Sequence, residues 1–146
     1  MMSEIEVRVA ETERERDDAF AVRHEVFVEE QGVDEELEYD EYDADAVHFV
    51  AYDGDDPVGA ARLRDAGDGV GKVERVAVLG PRREEGIGRS LMAAVEQRAA
   101  SLEFTTLTLH SQTHAADFYR VLGYERAGEE FEEAGIPHVA MRKPIR

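Results

Sequence analysis

The hydrophobic pattern of residues 73–99 changes period once, and that change constrains the fold more than any other feature. From Val73 to Leu79, apolar positions at Val73, Val76 and Val78 suggest a central strand that Pro81 ends. From Ile87 onward, Ile87, Leu91, Ala94, Val95 and Ala99 recur at helical spacing. Between them lies Arg83-Glu84-Glu85-Gly86-Ile87-Gly88. A strand feeding a glycine-bearing turn that opens a helix builds an anion site. Backbone N–H groups and the positive helix end face a phosphate, and glycine lets the backbone approach it. Two familiar phosphate loops fail on spacing. A dinucleotide fingerprint needs a third glycine where Leu91 stands, and a P-loop needs Gly-Lys-Ser/Thr where the chain reads Gly88-Arg89-Ser90. Glycine spacing alone leaves a plain turn as an open reading.

The remaining pattern predicts a mixed α/β fold, with a central twisted mixed sheet flanked by helices. Ile5, Val7 and Val9 alternate as a strand does. Thr12 and Glu15 form a capping box ahead of a helix that runs to about Val28, with Ala19, Phe20, Arg23 and Phe27 on one stripe. Glu29 to Asp45 reads as an acidic, solvated loop with one helical turn. Val47–Tyr52 and Val58–Arg64 are hairpin arms around Asp53-Gly54-Asp55-Asp56. Thr105–His110 alternates as a strand, and Thr113 caps a short helix that Gly123 ends. Strands at Tyr124–Ala127 and Val139–Arg142, separated by a Gly135 turn, close the chain. No linker or repeat interrupts it, so residues 1–146 read as a single domain.

Composition excludes several functions. The 146 residues contain no cysteine, which removes disulfides, thiolate metal sites and a cysteine nucleophile. Met1-Met2-Ser3-Glu4 offers neither a basic flank nor a long apolar stretch, so a soluble, cytoplasmic protein without a membrane partner is expected. The formal charge is −17, and every basic residue except Lys72 and Lys143 is arginine. Such a field opposes nucleic-acid binding. Scarce lysine beside abundant acid resembles proteins of salt-loving organisms, whose surfaces stay soluble when salt screens charge.

Arg83-x-x-Gly86-x-Gly88, after the strand Arg75-Val76-Ala77-Val78, resembles the acetyl-CoA signature of the GNAT family of N-acetyltransferases. Phe118-Tyr119-x-x-x-Gly123-Tyr124 resembles the family's second signature, at the expected separation. His24-Glu25-Val26-Phe27-Val28-Glu29-Glu30-Gln31, Ala46-Val47-His48, Leu109-His110-Ser111-Gln112 and Gly135-Ile136-Pro137-His138-Val139 resemble the ElaA-like branch. The resemblance implies a GNAT-like acyl-CoA N-acyltransferase fold and acetyl-CoA as cosubstrate. It implies that the backbone of Val76, Ala77 and Val78 holds the pantetheine arm. N–H groups of Arg83, Glu84, Glu85, Gly86, Ile87, Gly88 and Arg89 would cradle the pyrophosphate. Gln112 stands where many relatives bond pantetheine through an Asn, and Phe118 would pack near the cofactor. Tyr119 would protonate the departing thiolate, a sensible role for a phenol whose ordinary pKa of about 10 exceeds that of a thiol. Glu84 and Glu85 depart from the family pattern, because carboxylates beside a pyrophosphate are electrostatically awkward.

An amine acceptor arrives protonated, and neutralising a lysine-like amine at pH 7 costs roughly 4 kcal/mol. A general base is therefore expected. Glu74 is the first candidate, since period-two alternation would put it on the face of Val76 or Val78. His110 and His138 are the rivals, each with a plain structural alternative. Glu30, Asp40 and Asp43 form a candidate electronegative mouth for a cationic amine. No metal is expected: a calcium loop from Asp43 would need glycine where His48 stands, and His110 and His114 straddle a strand-to-helix junction. Without cysteine or an evident activated serine, direct attack by a small-molecule or peptide amine in a ternary complex follows. Relatives commonly pair, which admits a homodimer. The competing reading is a catalytically silent acyl-CoA-binding or interaction domain.

Overall fold

In the computed structural model, which describes residues 5–145, one mixed sheet organises the chain. The reading of Met1–Glu4 lies outside these residues. Strands β1 (Ile5–Val9), β2 (Val47–Asp53), β3 (Asp56–Asp65) and β4 (Val70–Val78) form an antiparallel run. β4 then pairs in parallel with β5 (Thr106–Gln112), because helix α3 (Ile87–Ser101) crosses back between them. A two-residue strand β6 (Glu125–Arg126) and a three-residue strand β7 (Phe131–Glu133) both pair with β8 (Ile136–Pro144), which lies beside β5. Expected strands match well through β5. The closing hairpin of β7 and β8 is longer and earlier than the expected Val139–Arg142 strand.

Two apolar layers cover the sheet. Ile87, Leu91 and Val95 of α3, with Tyr119 of α4 (Ala116–Val121), pack on Phe49, Ala61, Leu63 and Leu109. On the other face, Ala19 and Val22 of α1 (Glu13–Arg23) pack on Val50, Ala60 and Ala77. Neighbours Phe49 and Val50 thus serve opposite layers, so β2 is buried on both faces. The Thr12–Glu15 capping box is formed on both sides, at 3.0 and 3.1 Å.

Three expectations need correction. The first helix does not run as α to Val28. It changes at His24 into a π-helical segment, His24–Glu30, whose wider turn still buries Val26 and brings Glu30 to Arg83 in the turn before α3 and Gln31 to Gln112 of β5. The acidic stretch is not simply solvated. It folds into α2 (Glu35–Glu38) and a 3₁₀ turn, Glu41–Ala44, because two arginines lie beneath it. Arg23 and Arg62 are fully buried, and an unpaired buried charge is prohibitive. Arg23 donates to Glu38 at 2.8 Å and Asp43 at 2.8 Å; Arg62 donates to Asp40 at 2.6 Å, Asp43 at 2.8 Å and Glu74 at 2.7 Å. Asp40 and Asp43 are therefore spent on arginine and do not form a free electronegative mouth.

The third correction concerns strand β4. In the β3–β4 ladder Ala60 faces Ala77 and Arg62 faces Glu74, so two steps of β3 meet three of β4. This bulge is taken up by Arg75 at a left-handed φ of 58°. The extra residue reverses the alternation. Glu74 shares the α1 face with Ala77, opposite Val76 and Val78.

The buried network predicts acid sensitivity. Burial alone would raise the Asp43 carboxyl, but Arg23 and Arg62 outweigh it and bring the pKa from 3.8 to about 2. A depressed carboxyl stabilises the fold above its unfolded pKa, and that stability disappears as pH falls through the folded value. Stability is expected to drop by about 2 kcal/mol between about pH 4 and about pH 2 from this group. Urea unfolding at stepped pH checks it. An Asp43→Asn variant with the same slope in that window would remove Asp43 as the cause.

Candidate active site

The β4–β5 ladder ends at the Val73–Leu109 rung. Beyond it the two parallel strands part, leaving Glu74–Val78 without a strand partner on the β5 side. A cleft of about 1260 Å³ opens there, lined by Val76–Val78, by the Arg83–Arg89 turn and by the end of β5. Parallel strands that separate expose backbone donors and acceptors, which an extended ligand can take up as an added strand.

The phosphate-type turn stands at one end of the cleft. Gly86 is the N-cap of α3 at φ 87°, a left-handed conformation that glycine adopts without cost, and no side chain caps the helix start. Ile87 anchors that start in the core. A Cβ on Gly88 would come within 3.1 Å of the Phe118 ring, so glycine lets Phe118 lie against the helix. Glu85 is drawn to Arg82 at 3.0 Å, and Arg82 also reaches Asp53 at 2.9 Å. Glu84 and Arg89 are exposed and line the cleft. Arg83 bonds the Val78 carbonyl at 3.0 Å and makes a two-pronged ion pair with Glu30, at 2.6 and 2.8 Å. Sequence reasoning missed that pair, which spans 53 residues.

The candidate catalytic side chains lie on opposite faces of the sheet at the split. Tyr119 comes from the α3–α4 layer, and its ring packs edge-on against Phe118 and Tyr124 at 4.9 and 5.9 Å. Burial pushes its phenol well above the ordinary 10, so it is protonated throughout the neutral range. His110 lies on the α1 side, since Leu109 and Ser111 take the buried positions of β5. Its Nδ1 is 3.0 Å from Glu133. His138 is buried beside it, with Nδ1 2.6 Å from the Ile136 carbonyl.

Two candidates are already engaged. Burial would raise the Glu74 carboxyl, but Arg62, Arg64 and Lys72 outweigh it and hold it below the usual range. Arg62 and Arg64 both donate to it at 2.7 Å. A carboxylate so held is a weak base, which corrects the ranking of Glu74 as first candidate. Gln112 at the end of β5 bonds Gln31 at 2.8 Å and His114 at 2.6 Å. Gln31 and Glu133 are the site residues that sequence reasoning missed. Among the described residues, no cluster of three or more His, Asp or Glu is placed to hold a metal ion.

A mixed sheet parted between two parallel strands, with an uncapped helix start at the mouth of the parting, marks a class of protein built to take an extended, phosphate-bearing ligand. Comparison with known proteins gives the family. Residues 9–145 match the family model described as an acetyltransferase (GNAT) domain. The uncharacterised N-acetyltransferase YjcF of Bacillus subtilis is 46% identical over 136 residues, covering 92% of this chain and 96% of the relative. Protein ElaA of Escherichia coli is 30% identical over 124 residues, covering 82% and 81%. A Lactobacillus plantarum protein described as an N-acetyltransferase, known from its crystal structure, superposes with TM-score 0.91 and 32% identity, over 97% of this chain and 99% of that one. The chain belongs to the GNAT family of acetyltransferases. No helix among the described residues is long and apolar enough to cross a membrane.

Proposed function

We propose that the protein transfers an acetyl group from acetyl-CoA to a primary amine by direct attack in a ternary complex. The observation that carries this is the parted β4–β5 pair with Tyr119 on one face and His110 on the other. The backbone of Val76–Val78 receives the pantetheine arm, and the amides from Arg83 to Arg89 at the α3 start receive the pyrophosphate. Phe118 walls the cofactor side. The acceptor enters from the α1 face, between the π-helical segment and the β7–β8 hairpin. His110 accepts the amine proton as the nitrogen attacks the acetyl carbon, and Tyr119 donates its proton to the sulfur as the C–S bond breaks. We read residues 1–146 as one cytoplasmic domain from a high-salt organism, able to pair as a homodimer.

Calorimetry of acetyl-CoA binding in molar potassium chloride, followed by free-CoA assay over a panel of amines, tests the proposal. The expected result is binding near the micromolar range and CoA release that depends on the amine. Binding without release across small amines, polyamines and peptides favours a silent acyl-CoA-binding domain instead. Absence of binding by folded protein would mean that Glu84 spoils the phosphate turn.

A further inference from the structure

We propose that Glu133 is the positioning residue that makes His110 the base, an inference that rests on the transferase reading. His110 is the first residue of β5 beyond the last rung shared with β4, so it stands where the split begins, on the acceptor face. Glu133 reaches it from β7, brought back by a tight hairpin in which Ala134 and Gly135 have φ 52° and 75°. The Glu133 carboxylate accepts from His110 Nδ1 at 3.0 Å. An ionised carboxylate can only accept, so Nδ1 carries the hydrogen and Nε2 of the neutral ring keeps its lone pair. Phe131 holds the ring edge-on at 4.9 Å and stacks on His138 at 6.1 Å.

The neighbouring groups leave His110 alone in this role. The other carboxylates lining the cleft on this side are held by arginine: Glu30 by Arg83, Glu38 by Arg23, Asp40 by Arg62, and Glu74 by Arg62 and Arg64. His138 commits its Nδ1–H to the Ile136 carbonyl, and its Nε2 is 3.8 Å from the second oxygen of Glu133. With its hydrogen on Nδ1, the His138 ring turns a lone pair toward Glu133 at a separation too long for a hydrogen bond, so of the two imidazoles only His110 engages the carboxylate. As the acceptor nitrogen bonds the acetyl carbon, its proton passes to His110 Nε2. Glu133 balances the resulting positive ring through Nδ1–H. No bond to Glu133 forms or breaks.

Replacing Glu133→Gln tests this. Turnover is expected to fall at least tenfold, toward the low end of the losses, up to about 10⁴-fold, seen when an orienting carboxylate leaves a buried triad. Acetyl-CoA affinity by calorimetry is expected to stay unchanged, and Glu133→Asp to restore part of the turnover. Nitrogen NMR of the parent is expected to show His110 as the Nδ1–H tautomer, with that preference lost in Glu133→Gln. An active parent whose Glu133→Gln variant keeps full turnover, or the same tautomer, overturns this inference alone. A parent that neither binds acetyl-CoA nor acetylates any amine overturns the transferase reading, and this inference with it.

Discussion

The Tyr119→Phe variant is expected to bind acetyl-CoA as the parent does and to turn it over about 10²–10⁴-fold more slowly. That loss corresponds to about 3–5 kcal/mol of barrier. The substitution removes one hydroxyl and keeps the ring, whose contacts with Phe118 and Tyr124 support α4 against the sheet. Among the described residues the hydroxyl bonds no protein side chain, so deleting it strands no partner. Burial is the sole cause of its raised pKa, which fits a group that must hold its proton until a thiolate appears. Stopped-flow or steady-state CoA release gives kcat, and calorimetry gives affinity. Equal losses in both would identify Tyr119 as a packing residue and end its assignment as the acid.

Arg62→Ala is expected to cost about 3–5 kcal/mol, a large share of the 5–15 kcal/mol that holds an ordinary domain together. Arg62 has no exposed surface, and it bonds three carboxylates from two parts of the chain: Asp40 and Asp43 of the 3₁₀ turn and its cap, and Glu74 of β4. Removing it takes away the one cation these anions share, leaving Asp43 to Arg23, Asp40 to Arg75, and Glu74 to Arg64 and Lys72. Urea unfolding measures the loss, and a cost under about 1 kcal/mol would show that these remaining partners suffice. A second effect follows from position. Glu38 and Asp40 are lining residues of the cleft, held there by Arg23, Arg62 and Arg75. The variant that survives at low temperature is therefore expected to show a raised KM for the amine with acetyl-CoA affinity retained.

The strands and helices that carry local periodicity are legible in the sequence alone. The Thr12–Glu15 capping box, the alternation of β1, β2 and β5, and the glycine turn before α3 each depend on residues within a few positions of one another. Side-chain spacing encodes such features directly. The candidate acid, Tyr119, and the phosphate turn were legible for the same reason, since each sits inside a short motif. Glu133 was not. It lies in an acid-rich stretch with no apolar alternation, and its strand is only three residues long. It meets His110 only because β5, β8 and β7 pair in one register.

The sequence by itself determined the layered mixed fold, the family and the half of the candidate site that we propose for the acyl donor. Those follow from spacing along one segment. Tertiary structure alone decided the half that we propose for the acceptor. A bulge at Arg75 moved Glu74 to the other face, and two buried arginines drew the acidic stretch inward and bound its carboxylates. The physical reason is that a buried charge must be neutralised by whatever the fold brings within about 3 Å, and the partners come from distant parts of the chain.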